Sequence, residues 1–215
     1  METSGGFAAA WPALAPAARR CLELAHQAWR AGGLPVGAVL TDAAGAIVAE
    51  GRNRAYDAGG GADALRGTPL AHAELNALAG ARTAWDLTTH TLWSSHRPCA
   101  MRAAAAAFTG VGTVRYLAAD PWAESVGHRP AETVRTLGPA PEGWPGAVAT
   151  ALFLADTVRR AGPEHRTVRA ALRADPATAR LAVDLATDPA LRSADLPALL
   201  AALWPRITAA AGPGA

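Results

Sequence analysis

The feature that most constrains the fold is the order in which strand-length apolar runs alternate with helical periodicity. Leu14, Ala18, Cys21, Leu22, Ala25 and Trp29 recur at three- and four-residue steps, which predicts a helix over about 14–31. Gly32 and Gly33 end it. Two short runs follow, Val36 to Thr41 and Ala46 to Gly51, and Asp42-Ala43-Ala44-Gly45 supplies a hairpin turn between them. Residues 53–70 read as a loop that includes Gly59-Gly60-Gly61. A helix is expected from about Ala71 to Arg82, and a strand over Thr91 to Ser94. Pro98, a favoured first-turn residue, opens a helix to about Phe108, and Gly110 and Gly112 break it before a strand over Thr113 to Ala118. The order is α-β-β-α-β-α-β. Helices between the later strands predict an α/β fold with a mixed sheet covered by helices.

The rest of the chain divides by composition. Residues 1–12 read as a flexible leader and 13–123 as the α/β domain. Residues 124–145, rich in proline and glycine, read as a loop or lid. Residues 146–215 read as a C-terminal helical extension, broken at Gly162-Pro163, Asp175-Pro176 and Asp188-Pro189, with Asp175 and Asp188 placed as caps. A chain of 215 residues accommodates that arrangement, and 51% hydrophobic residues suffice for a core. The net charge of +2 is too small to imply nucleic-acid binding. Every basic residue is arginine, so no lysine exists for Schiff-base chemistry. Two cysteines make no disulfide framework. The first basic residue, Arg19, comes too late for a signal peptide, and no uncharged run suits a membrane span. A cytoplasmic protein without membrane contact is expected.

The chemistry is concentrated in His72-Ala73-Glu74 and, after a gap, Pro98-Cys99-Ala100-Met101-Arg102, each at an expected helix N-terminus. This resembles the H-x-E and P-C-x-x-C motifs of the zinc deaminases. Leu34-Pro35-Val36-Gly37-Ala38-Val39-Leu40 and Ala49-Glu50-Gly51-Arg52-Asn53-Arg54 are similar to the first two strands of that superfamily. Ala71 to Leu78 is similar to its first zinc helix, and Thr91-Leu92-Trp93-Ser94-Ser95 to the strand before the second. The resemblance is to the cytidine/deoxycytidylate deaminase-like superfamily, nearest its tRNA-adenosine and guanine deaminase branch, over about residues 17–121. It implies a three-layer α-β-α fold with a mixed central sheet. It further implies zinc as cofactor, held by His72 and Cys99, with Glu74 as the catalytic acid/base. Asn53 would contact a nucleobase or nucleoside, and Trp122 would lie in the region lining the pocket. A homodimer is implied too. Binding of tRNA would also follow from the branch but is not supported by the charge.

Two departures stand out. Arg97 precedes Pro98 where the family has glutamate, and Arg102 stands where the third ligand, a cysteine, belongs. Arginine has only donors and cannot ligate a cation. Three readings follow. In the first, Glu74 pairs with Arg102 in the metal pocket, and the protein is a catalytically impaired or inactive binder. In the second, an active deaminase uses an altered ligand set such as His72, Cys99 and His96; otherwise His96 reads as an exposed loop histidine. In the third, Arg97 and Arg102 beside a helix N-terminus bind an anion or nucleotide phosphate. Cys21 reads as a buried thiol. His26, His90, His128 and His165 have no ligand spacing, and the lone Gly110-Val111-Gly112 lacks the strand-to-helix context of dinucleotide binding. Apart from Trp122, the tryptophans read as packing anchors.

Overall fold

The computed structural model describes residues 6–58, 63–125, 136–139 and 143–212. Its sheet has five strands in the order β2-β1-β3-β4-β5. These are β1 (Gly37–Thr41), β2 (Ile47–Arg52), β3 (Thr91–His96), β4 (Thr113–Ala118) and β5 (Thr136–Pro139). β1 runs antiparallel to β2 and β3, whereas β3, β4 and β5 are parallel, so the sheet is mixed as expected. The hairpin forms because Asp42 Oδ1 accepts from Ala44 N and Ala46 N at 2.9 Å, while Gly45 takes φ +83°.

Ten α-helices are described: α1 (Phe7–Ala13), α2 (Pro16–Arg30), α3 (Ala73–Leu78), α4 (Ala100–Phe108), α5 (Pro121–Ser125), α6 (Trp144–Ala161), α7 (Arg166–Ala174), α8 (Pro176–Thr187), α9 (Pro189–Ser193) and α10 (Leu196–Ala211). The alternation along β1 sorts them into layers. Ala38 and Leu40 join Leu92, Val114 and residues of α3 and α4 in one core. Val39, on the opposite face, joins α2, α6, α8 and α10 in a larger one. The helical C-terminal segment thus shares its core with α2 and the sheet.

Two strand glycines set the spacing of the layers. A Cβ on Gly37 would stand 2.3 Å from the Cys21 carbonyl oxygen, and one on Gly51 2.5 Å from that of Ala73. Their absence lets α2 settle on β1 and α3 on β2.

The expected breaks between the C-terminal helices are present. Asp175 and Asp188 accept from Thr178 N and Ala190 N at 3.0 and 2.9 Å. Several expectations need correction. Residues 7–13 are helical, not a flexible leader, because Phe7 and Trp11 pack together and Phe7 stacks edge-on against Trp204, 5.6 Å between centroids. Within the segment read as a loop or lid, 121–125 form α5 and 136–139 form β5; 126–135 and 140–142, including His128, lie outside the described residues. α3 ends at Leu78, short of Arg82, where Gly80 N and Ala81 N close tight turns onto Ala77 O and Leu78 O. β3 runs two residues past Ser94, to His96.

Candidate active site

The two motifs converge where the helices point their N-termini. His72 is the N-cap residue of α3 and Cys99 that of α4, both in extended backbone conformations, so the helices start two residues later than expected and Pro98 precedes α4 rather than standing in its first turn. Glu74, in the first turn of α3, and Arg102, in the first turn of α4, are buried between them.

Arg102 organises the site. Its Nη1 donates to Glu74 Oε1 at 2.8 Å, and its Nη2 to Asp120 Oδ2 at 3.2 Å. Its Nε donates to Cys99 Sγ at 3.2 Å, and Nη2 also reaches the Arg97 carbonyl at 3.4 Å. Ser94 Oγ donates to the same Glu74 oxygen at 2.7 Å. Burial opposes the Arg102 charge, but Glu74, Cys99 and Asp120 outweigh it and hold the guanidinium pKa above its ordinary value. Burial likewise pushes the Cys99 thiol up, yet the hydrogen bond with His72 and the Arg102 cation prevail and hold it at about 6.

Asp120 escaped the sequence reading. It caps α5, accepting from Trp122 N at 3.0 Å and Ala123 N at 3.2 Å through Oδ1 while Oδ2 takes Arg102. The signal was present: aspartate before Pro121 is an N-cap followed by a first-turn proline.

His72, Cys99, Arg102, Asp120 and His96 face a cavity of about 350 Å³, near the lower end of the ~300–1,000 Å³ common for small-ligand sites. Trp122 lines it too and is 45% exposed. An open groove of about 530 Å³ lies elsewhere, along β2 and α3. Its Arg54 is tied to Asp63 and Asp57, and it holds none of the motif residues.

His96 is buried rather than an exposed loop residue, because β3 continues through it and pairs it with Ala118. Its Nδ1 lies 3.1 Å from Ser95 Oγ, and its ring packs 5.2 Å from that of Phe153. Its Nε2, near the Ala149 backbone, makes no hydrogen bond of good geometry among the described residues. Burial lowers its pKa to about 4, so the ring is neutral at pH 7. Asn53 is buried, but its Oδ1 accepts from Ala55 N at 3.0 Å in a local turn, and it does not line the cavity. Arg97 is exposed and does not line the cavity. Cys21 is fully buried on α2, where desolvation raises its thiol pKa.

The sequence of residues 15–118 matches the family model of the cytidine and deoxycytidylate deaminase zinc-binding region. That segment is a deaminase-family domain. The chain is 35% identical over 114 residues to the tRNA-specific adenosine deaminase of Haemophilus influenzae, a match over 52% of this chain and 61% of the relative. It thus spans about three fifths of the curated relative it matches. Among solved structures it is similar to the protein NE0047 in complex with 2,6-diaminopurine, with 24% identity and a TM-score of 0.52 over 67% of this chain and 83% of that one. A mutant of NE0047 with 8-azaguanine matches at 23% identity and TM-score 0.52, over 67% and 86%. These likenesses establish the shared fold.

The family's zinc does not fit the donor set of this deaminase domain. A catalytic zinc takes three protein ligands and a water. Here the third position is filled by a guanidinium, whose Nε already donates to the sulfur that would bind metal. Among the described residues no three histidine, cysteine, aspartate or glutamate side chains are placed to hold an ion. The altered set of His72, Cys99 and His96 is therefore not assembled. The anion-binding arrangement is absent too, since Arg102 is matched by two carboxylates and Arg97 stands apart. Among the described residues no helix is long and apolar enough to cross a membrane.

Proposed function

We propose that this protein binds a nucleobase- or nucleoside-type heterocycle in the cavity beside Cys99 and Arg102, and that it is impaired in, or has lost, hydrolytic deamination. The observation that carries the reading is the Arg102 side chain, which bonds Glu74, Cys99 and Asp120 together. Zinc, when bound in this family, supplies an activated water, and glutamate moves its proton. In this chain the Glu74 oxygen nearest Arg102 is taken by two donors, Ser94 and Arg102. What remains is a fixed polar floor under apolar walls. His96 adds a neutral ring to that floor, and Val36 and Phe153 offer flat or branched apolar surface. That combination suits a planar ring with a few polar edges. The purine-type ligands of the fold neighbours accord with it. A homodimer is part of the proposal: Phe108, 93% exposed at the end of α4, and the exposed Ala104 and Ala107 offer apolar surface for a second copy.

The test is a panel of bases and nucleosides incubated with purified protein and added zinc, followed by ammonia release and by thermal melting. The reading expects a raised melting temperature with some of the panel and no turnover. Ammonia release that disappears in Glu74→Gln would overturn the loss of catalysis. No thermal shift and no turnover with any compound would overturn the binding site.

A further inference from the structure

The outer wall of the cavity comes from a part of the chain that the family model does not reach. The match ends at residue 118, yet Phe153, Asp156, Thr157 and Arg160 of α6 line the cavity, with His165 and Thr167 beyond them. Exposure grades across the cavity. His96, Val36 and Arg102 are at most 4% exposed and form the floor. Tyr56, 58% exposed, and Trp122 lie at the rim.

One contact bridges that rim. The Arg160 guanidinium carbon lies 3.7 Å from the centroid of the Tyr56 ring, which joins α6 to the loop after β2. Arg160 is held in place from behind. Its Nε donates to Asp156 Oδ2 at 2.7 Å, and its Nη2 donates to the Gly32 carbonyl. Asp156 is fully buried and also accepts from Arg159 at 2.5 Å. The stack is therefore tied to three segments: the turn after α2, the loop after β2 and α6. Asp156 is shared by Arg159 and Arg160, so one positive charge of this cluster is left over, and a phosphate group competes with a base as the occupant.

We infer that the Tyr56–Arg160 stack is the size-selecting rim of this cavity, which admits a free nucleobase and excludes the sugar of a nucleoside or a polynucleotide. The inference rests on the proposed heterocycle site and specifies its substrate class. A base bonded to ribose must carry that ribose outward past the rim. Opening the stack would break the Tyr56 contact and pull Arg160 from Asp156. A cavity near the small end of the usual range has little other room.

The test is calorimetric titration of the full-length protein with adenine, guanine and cytosine, each against its ribonucleoside and nucleoside monophosphate. The wild type is expected to bind its preferred base at least about tenfold more tightly than the matching nucleoside, the scale of a modest steric misfit. Arg160→Ala should bring the two affinities together by strengthening nucleoside binding. Tyr56→Ala, at an exposed loop residue, should do the same without disturbing Asp156. Equal affinity for base and nucleoside in the wild type, or an unchanged ratio in both variants, would overturn the rim while leaving the heterocycle site intact. Tightest binding by the monophosphate would overturn it in favour of a phosphate site. Binding of none of them would remove the heterocycle site, and the rim with it.

Discussion

At the scale of single residues, Arg102 sits in a setting that only matched charge makes tolerable. Two carboxylates, a sulfur and a carbonyl oxygen receive its donors in a region where its side chain is 5% exposed. Breaking such a pair from one side leaves the other charge buried and unmatched, at about 3–5 kcal/mol. Arg102→Ala is therefore expected to lose about that much in urea unfolding, and a loss under 1 kcal/mol would show the pair to be weak. Cys99 gives a second prediction. With its thiol held at about 6, the thiolate forms as pH rises through that value. Iodoacetamide labelling of Cys99 should rise with a midpoint near 6, and Arg102→Ala should move that midpoint upward. Cys21, buried and with its pKa raised, should stay unlabelled while the protein is folded. A Cys99 midpoint near the ordinary ~8.5 would mean that His72 and Arg102 do not act on it.

At the scale of elements, the close helix–sheet approaches at Gly37 and Gly51 predict the largest effects of small changes. Gly37→Ala drives a methyl into the α2 backbone and Gly51→Ala into that of α3, neither of which yields as a side-chain tip would. Each should cost about 1–3 kcal/mol or more in denaturant unfolding; a neutral result at both would mean the layers separate easily. The elements that sequence patterns revealed were those with local signals. The Asp42 to Gly45 turn, the helix starts after His72 and Cys99, and the capping aspartates Asp175 and Asp188 all act within four residues. The elements that escaped had weak local signals or long-range causes. α1 looked like an alanine-rich leader because its anchors, Trp144 and Trp204, lie far along the chain. His96 looked like loop because only pairing with Ala118 on β4 draws it into the sheet. The pairing of Glu74 with Arg102 was legible, since both lie in first turns of helices that the motifs bring together.

At the scale of the whole molecule, the C-terminal helices are structural partners of the deaminase-family segment. α2 buries Leu22, Leu24 and Trp29 in the same core as Leu152, Leu181 and Leu200. A chain ending before Trp144 would expose that face of α2 and the outer side of the cavity. It should be recovered mainly as aggregate, whereas a monodisperse, cooperatively melting fragment would contradict this. The cavity wall was the least legible part of the site, because Tyr56, Asp156 and Arg160 belong to no common motif and meet only through packing of α6 beside the loop. The proposed loss of hydrolysis turns on the Arg102 guanidinium standing in place of the metal's third ligand. Zinc per chain, measured by elemental analysis on wild type and Arg102→Cys purified side by side, tests it most directly. Zinc far below one per chain is expected in the wild type and close to one in Arg102→Cys, where His72, Cys99 and the new thiol complete a three-ligand set. Near-stoichiometric zinc in the wild type that is lost in Cys99→Ala would contradict it.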